Sequence, residues 1–133
     1  MNRKLLWPVF WLILVVAILN KIGGIFYLYW LTWWFDVVMH FLGGAWLASV
    51  TFWLLPLIPA YQDSQIGKRE VGVAVIFVTL IVGLLWEAFE LWFGISLLSA
   101  PDFWLDSVTD LILDLIGAMM VFWYVYLKSK TQN

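Results

Sequence analysis

The chain has 133 residues, 65% of them hydrophobic and 12% charged, with a mean hydropathy of +0.95, whereas soluble domains carry about 25% charged residues. Water is therefore the wrong solvent for most of its surface. A formal net charge of -2, with the basic residues in no long run, gives no reason to expect nucleic acid as a partner, and the absence of cysteine excludes disulfides and thiolate chemistry.

In chain order the apolar segments run from Leu5 to about Gly23, Phe35 to about Ile58, Val71 to about Phe93, and Phe103 to about Leu127. Each is long enough to cross a hydrocarbon core of ~30 Å at ~1.5 Å per residue. Together they predict an all-α membrane protein: one four-helix transmembrane bundle covering 1–133, with no room for a separate soluble domain. Arg3 and Lys4 ahead of the first run could pass for a signal peptide, but Asn20-Lys21-Ile22 follows without a small-x-small cleavage site, so an uncleaved first helix is expected. From Ile25 to Trp34 the chain either extends helix one or lies along the interface, and Phe26, Tyr27, Tyr29, Trp30, Trp33 and Trp34 favour the interface. The stretch from Tyr61 to Glu70, introduced by Pro56 and Pro59, reads as a polar loop. Ser99 as N-cap, with Pro101 and Asp102 in the first turn, predicts the start of helix four.

Orientation follows from the basic residues. With the N-terminus inside, Arg3, Lys4, Lys68, Arg69, Lys128 and Lys130 are cytoplasmic and Lys21 alone is outside. The positive-inside rule thus predicts both termini in the cytoplasm and a multi-pass protein of the cytoplasmic membrane. In that frame Trp30, Trp33, Trp34, Trp92 and Trp104 fall at the outer interface, and Trp7, Trp53 and Trp123 nearer the inner one.

Six carboxyl residues fall inside apolar segments: Asp36 on helix two, beside His40; Glu87 and Glu90 on helix three; Asp106, Asp110 and Asp114 on helix four. Within each helix they stand three or four residues apart, which puts them on one face. The stripes continue into small residues, as Asp36-His40-Gly44-Ala48, Gly83-Glu87-Glu90-Gly94 and Asp110-Asp114-Gly117. Small residues let membrane helices approach closely, so the three faces are expected to meet. By depth, His40 at ~8 Å, Glu87 at ~9 Å and Asp110 at ~10 Å from the outer helix ends share one level, with Asp36, Glu90 and Asp106 nearer the mouth and Asp114 deepest at ~15 Å.

A charged Asp near a helix centre costs ~2.5 to 3.5 kcal/mol, so these groups must face the bundle interior or a water-filled cleft. Two remedies stay open: crowded carboxyls that keep their protons and hydrogen-bond between helices, or a bound divalent cation. Asp36, His40, Glu87, Glu90, Asp106, Asp110 and Asp114 are the candidate metal ligands. His40, the only imidazole, suits Zn or Mn, whereas carboxylates alone suit Mg or Ca. Glu87, Asp110 and His40, sharing one level, are the candidate catalytic residues.

Asp36-Val-Val-Met-His40-Phe41, Trp86-Glu87-Ala-Phe-Glu90 and Asp106-x-x-x-Asp110-x-x-x-Asp114-x-x-Gly117 resemble, in that order, the three motifs of VanZ-like membrane proteins, most closely the YjdF-like branch. The resemblance spans about Phe35 to Gly117 and implies a small bacterial or archaeal membrane protein. The VanZ pattern tends to carry Lys after the first Asp, Gln in the second motif and Asn in the last; this chain has Val37, Glu90 and Asp114, a more acidic set. The leading expectation is a cation-dependent, outward-facing site that binds or acts on a lipid or lipid-linked molecule of the cell envelope. Hydrolase or transferase chemistry is available but not forced. The alternatives are a proton- or cation-linked transport component and a non-catalytic scaffold, with membrane lipids as partners in every case.

Overall fold

The computed structural model describes residues 6–62, 67–93 and 102–130, and among them all regular structure is helical. In hydrocarbon every backbone N–H and C=O must be paired within the segment, which for apolar runs this long leaves the helix. The helices are α1 (Leu6–Ile25), α2 (Leu28–Leu31), α3 (Trp33–Leu54), α4 (Pro59–Gln62), α5 (Lys68–Phe93) and α6 (Phe103–Lys130). Four stretches, Trp7–Ile25, Trp33–Leu57, Lys68–Phe93 and Phe103–Lys128, are long and apolar enough to cross a membrane.

The boundaries have local causes. Helix α3 begins at Trp33, ahead of the expected Phe35, and its regular part ends at Leu54 because Pro56 has no N–H to donate; Leu55–Leu57 tightens into a 3-10 turn. Helix α5 starts at Lys68, inside the stretch expected to be loop, with Glu70 in its first turn where a negative charge meets the helix dipole favourably. Between α1 and α3 the chain does not continue α1. Tyr27 takes a left-handed conformation (φ 57°) and α2 supplies one turn. Thr32, extended, then donates its hydroxyl to the Leu28 carbonyl at 2.7 Å. The cap expected at Ser99 and Pro101 lies outside the described residues, as do residues 63–66 of the polar loop. Asp102 forms a turn whose carbonyl accepts the Asp106 N–H at 2.9 Å.

Helix α3 is the hub, packing most extensively on α6 and also on α5 and α1; α1 touches the bundle chiefly through α3. Glycine sets the α3–α6 approach. A Cβ on Gly44 would collide with the backbone carbonyl of Asp114, and one on Gly117 with the carbonyl oxygen of Phe41, so the two backbones touch where any side chain would hold them apart. Toward the C-terminal ends of α3 and α6, Ala48, Val75, Thr79 and Ala118 are fully buried, with Phe52 and Val121 packed around them. Lys68 Nζ lies 4.8 Å above the Tyr126 ring at that end. The intramembrane carboxyls gather toward the other end, so the bundle is polar along its axis. Leu84, Leu85, Leu105, Val108, Ile112 and Ile116 point outward. In water they would form a large apolar patch; in a bilayer they are the lipid face.

Candidate intramembrane His–carboxyl site

The inner face of α3 carries His40, Gly44 and Ala48 in register, with Asp36 one turn before His40. Helix α6 turns Ser107, Asp110, Asp114 and Gly117 inward, and α5 buries Val71, Val75, Thr79, Gly83 and Glu87, four residues apart throughout. The α3 and α6 stripes meet around the His40 imidazole, and Gly83 brings the α5 stripe against Asp114. Nε2 lies 3.7 Å from Asp36 Oδ1 and 3.7 Å from Asp110 Oδ2, while Nδ1 lies 3.5 Å from Asp114 Oδ1. His40 is 9% exposed, Asp110 5% and Asp114 6%.

Asp114 stands where three helices cross. Its Oδ2 would lie 2.9 Å from a Cβ on Gly83, and its Oδ1 3.7 Å from one on Gly43, so glycines on α5 and α3 make the slot that holds its carboxyl. From that slot it faces Nδ1 and favours a proton there. A proton held there would leave Nε2, which lies between Asp36 and Asp110, free to bind a metal. A carboxylate behind a histidine, with the far nitrogen free, is the usual support for a metal-binding imidazole.

One ligand atom each from Asp36, His40 and Asp110 lies within 4.8 Å of the others. The 3.7 Å separations from Nε2 are longer than hydrogen bonds. They suit a shared ion: two ligand atoms that far apart, each ~2.1 Å from a metal, subtend about 120° there. Three residues holding an ion would leave a coordination position open for water or another ligand. Three carboxyls also surround one imidazole, so a protonated ring balances only one of them. Protons or a divalent cation must account for the rest.

The remaining candidates lie around this centre. Glu87, 9% exposed, is an electrostatic neighbour of Asp36 and Asp110, and its Oε1 is buried without a hydrogen-bond partner. Glu90 accepts a hydrogen bond from Trp86 Nε1 at 2.9 Å. Asp106 is exposed. Neither Glu87, Glu90 nor Asp106 enters the group within 4.8 Å. Asp106 stands off because residues four apart drift by about 40° around a helix, and two such steps separate it from Asp114. Ser107 occupies the inner position instead, three residues before Asp110 and seven before Asp114, a phase the carboxyl spacing alone does not reveal. At the mouth, burial together with the nearby Asp36 and Glu90 pushes the Tyr29 hydroxyl up to about 12, so it stays a donor. It bonds Asn20 Oδ1 at 2.8 Å and ties α2 to α1. The aromatic density around Tyr29 marked the segment but not this role.

A family model described as a predicted membrane protein (DUF2238) matches residues 2–131. The chain belongs to this family. The match covers nearly its whole length and supports a membrane protein, without supporting the VanZ-like assignment read from the three motifs. No curated protein and no solved structure matches the chain.

Proposed function

We propose that this DUF2238 protein holds a divalent cation at Asp36, His40 and Asp110 inside the outer half of the cytoplasmic membrane, and uses it to bind or act on a lipid or lipid-linked envelope molecule. The observation that carries this reading is the imidazole gripped from both sides: Asp114 on Nδ1, with Asp36 and Asp110 flanking Nε2. The cation would neutralise the buried carboxyls and polarise a phosphoryl or carbonyl oxygen, while Glu87 is the carboxyl left to accept a proton. The motif order supports kinship with VanZ-like proteins of the YjdF-like branch. A through-membrane ion path is disfavoured, because Phe41 to Leu57, Val71 to Trp86 and Leu115 to Leu127 contain no ionisable Asp, Glu, His, Lys or Arg.

Protein purified in detergent should carry near-stoichiometric metal, and Asp110→Asn should lower that content at least about tenfold, the loss of one charged ligand. In chelator, where bound metal no longer contributes, the unfolding temperature of the variant should be level with or above that of the parent, since a crowded charge has gone. Unchanged metal content with a lowered unfolding temperature would make the cluster structural. For orientation, a cysteine at Ser99 should react with an impermeant thiol reagent in intact cells and one at Ser64 should not. Labelling at Ser64 would move the site to the inner leaflet.

A further inference from the structure

On the lipid face beside the acid cluster lies a groove of about 280 Å³ between α5 and α6, walled by Leu84, Ala88, Leu91, Phe103, Val108 and Leu111. Two polar residues, Glu87 and Ser107, share its lining. Glu87 belongs to both places, since it also acts electrostatically on Asp36 and Asp110. Among the described residues its buried Oε1 has no donor. Such an atom costs free energy unless something supplies the missing hydrogen.

The geometry points to the α5–α6 groove as the entry for one chain of a phospholipid whose head group carries N–H donors, a primary ammonium, which bonds Glu87 while its phosphate faces the Asp36–His40–Asp110 centre. The inference rests on the lipid half of the proposed function and names the substrate class. A bilayer supplies acyl chains at every outward groove of a spanning helix, so the apolar walls choose a chain without further cost. The head group is chosen by charge. The carboxyls of α3, α5 and α6 are matched by one imidazole, with Lys21 of α1 the one basic side chain toward that end; the excess of acid favours a cationic group and disfavours an uncompensated anion. A turn of the Glu87 side chain, which lines the groove, brings Oε1 to the N–H donors of an ammonium, whereas a trimethylated ammonium has the same charge and cannot donate. Ala88 and Val108, both exposed on the walls, give access from the side.

The test reconstitutes the protein in nanodiscs of equimolar phosphatidylethanolamine and phosphatidylcholine with matched acyl chains, extracts it gently, and measures retained lipid by native mass spectrometry and bound metal in the same sample. The parent should retain the ethanolamine lipid over the choline lipid about tenfold, the difference one charge-assisted hydrogen bond makes. Glu87→Met, which removes the acceptor as well as the charge, should erase that preference while lipid is still retained. Ala88→Trp, or Val108→Trp where the first variant does not elute as a single species, should fill the groove and lower retention of both lipids. Equal retention of the two lipids by the parent, a preference that survives Glu87→Met, or unchanged lipid retention in the tryptophan variants would overturn the inference. A metal-free parent that still selects the ethanolamine lipid would leave the groove standing and overturn the cation site.

Discussion

The two ends of the α3–α5–α6 bundle are built on opposite chemistry. Toward Lys68 and Tyr126 the helices meet through Ala48, Val75, Thr79 and Ala118, all fully buried. Toward Asp36 they meet through an imidazole and carboxyls 3.5 to 3.7 Å apart. Close packing needs only the first arrangement, because dispersion between small residues and touching backbones holds membrane helices together without a polar partner. If the carboxyls were interhelical glue, short hydrogen bonds between helices would be the sign. Among the described residues the short side-chain hydrogen bond to one of these carboxyls, from Trp86 to Glu90 at 2.9 Å, stays within α5, and the His40–Asp114 contact between α3 and α6 is long, at 3.5 Å. Backbone contacts of Gly44 on Asp114 and Gly117 on Phe41 thus hold the polar end together without short hydrogen bonds between its carboxyls.

The sharpest way to break that contrast is to attack the scaffold. Gly44→Leu would drive a side chain into the Asp114 backbone and should destabilise the bundle by about 3 kcal/mol or more, read as a fall in unfolding temperature in detergent. Gly24 has nothing within 4 Å of where its Cβ would stand, so Gly24→Leu in α1 should change stability by no more than about 0.5 kcal/mol. Equal losses at the two positions would mean that α1 is as much a part of the core as α3. A smaller effect of opposite sign is expected within the packed end. Thr79 is fully buried, and among the described residues its Oγ1 has no hydrogen-bond partner. Thr79→Val keeps the shape, removes the orphan hydroxyl and should raise stability by about 1 kcal/mol. A loss of that size would place a hydrogen-bond partner at the hydroxyl and blur the distinction between the two ends.

How legible each end was follows from the same difference. Long apolar runs announce spanning helices whatever their packing, so the four helices could be read within a few residues. The ends that shifted did so where Pro56 and the first turn of α5 impose local backbone terms. The site was half legible. Spacings of three and four put Asp36, His40, Asp110 and Asp114 on inward faces, and the structure brings those together. Helix phase and interhelical offset decided the rest: Asp106 rotates outward, Ser107 inward, and Glu87 faces a groove that exists only once α5 and α6 are side by side. The left-handed Tyr27 left no mark in the composition, being a bulky residue in a conformation that glycine usually takes.

The finest contrast lies within one turn of α6. Asp106 and Asp110 are the same residue type four positions apart, but Asp110 is 5% exposed and faces His40 Nε2 at 3.7 Å, while Asp106 is exposed at the mouth. An exposed charge acts on the centre through solvent and is screened over about 10 Å at 0.1 M salt. Asp106→Asn should therefore weaken cation affinity by no more than about threefold at low salt, and the deficit should fade toward 0.5 M salt, where screening removes what little the charge contributed. Asp110→Asn should keep its loss across the same range, because a direct ligand is not replaced by ionic strength. Measuring the two variants as parallel salt titrations of metal affinity separates field from ligation. Parallel slopes for both would mean that Asp110 acts only as a nearby charge and that the ion, if held, is held by other groups.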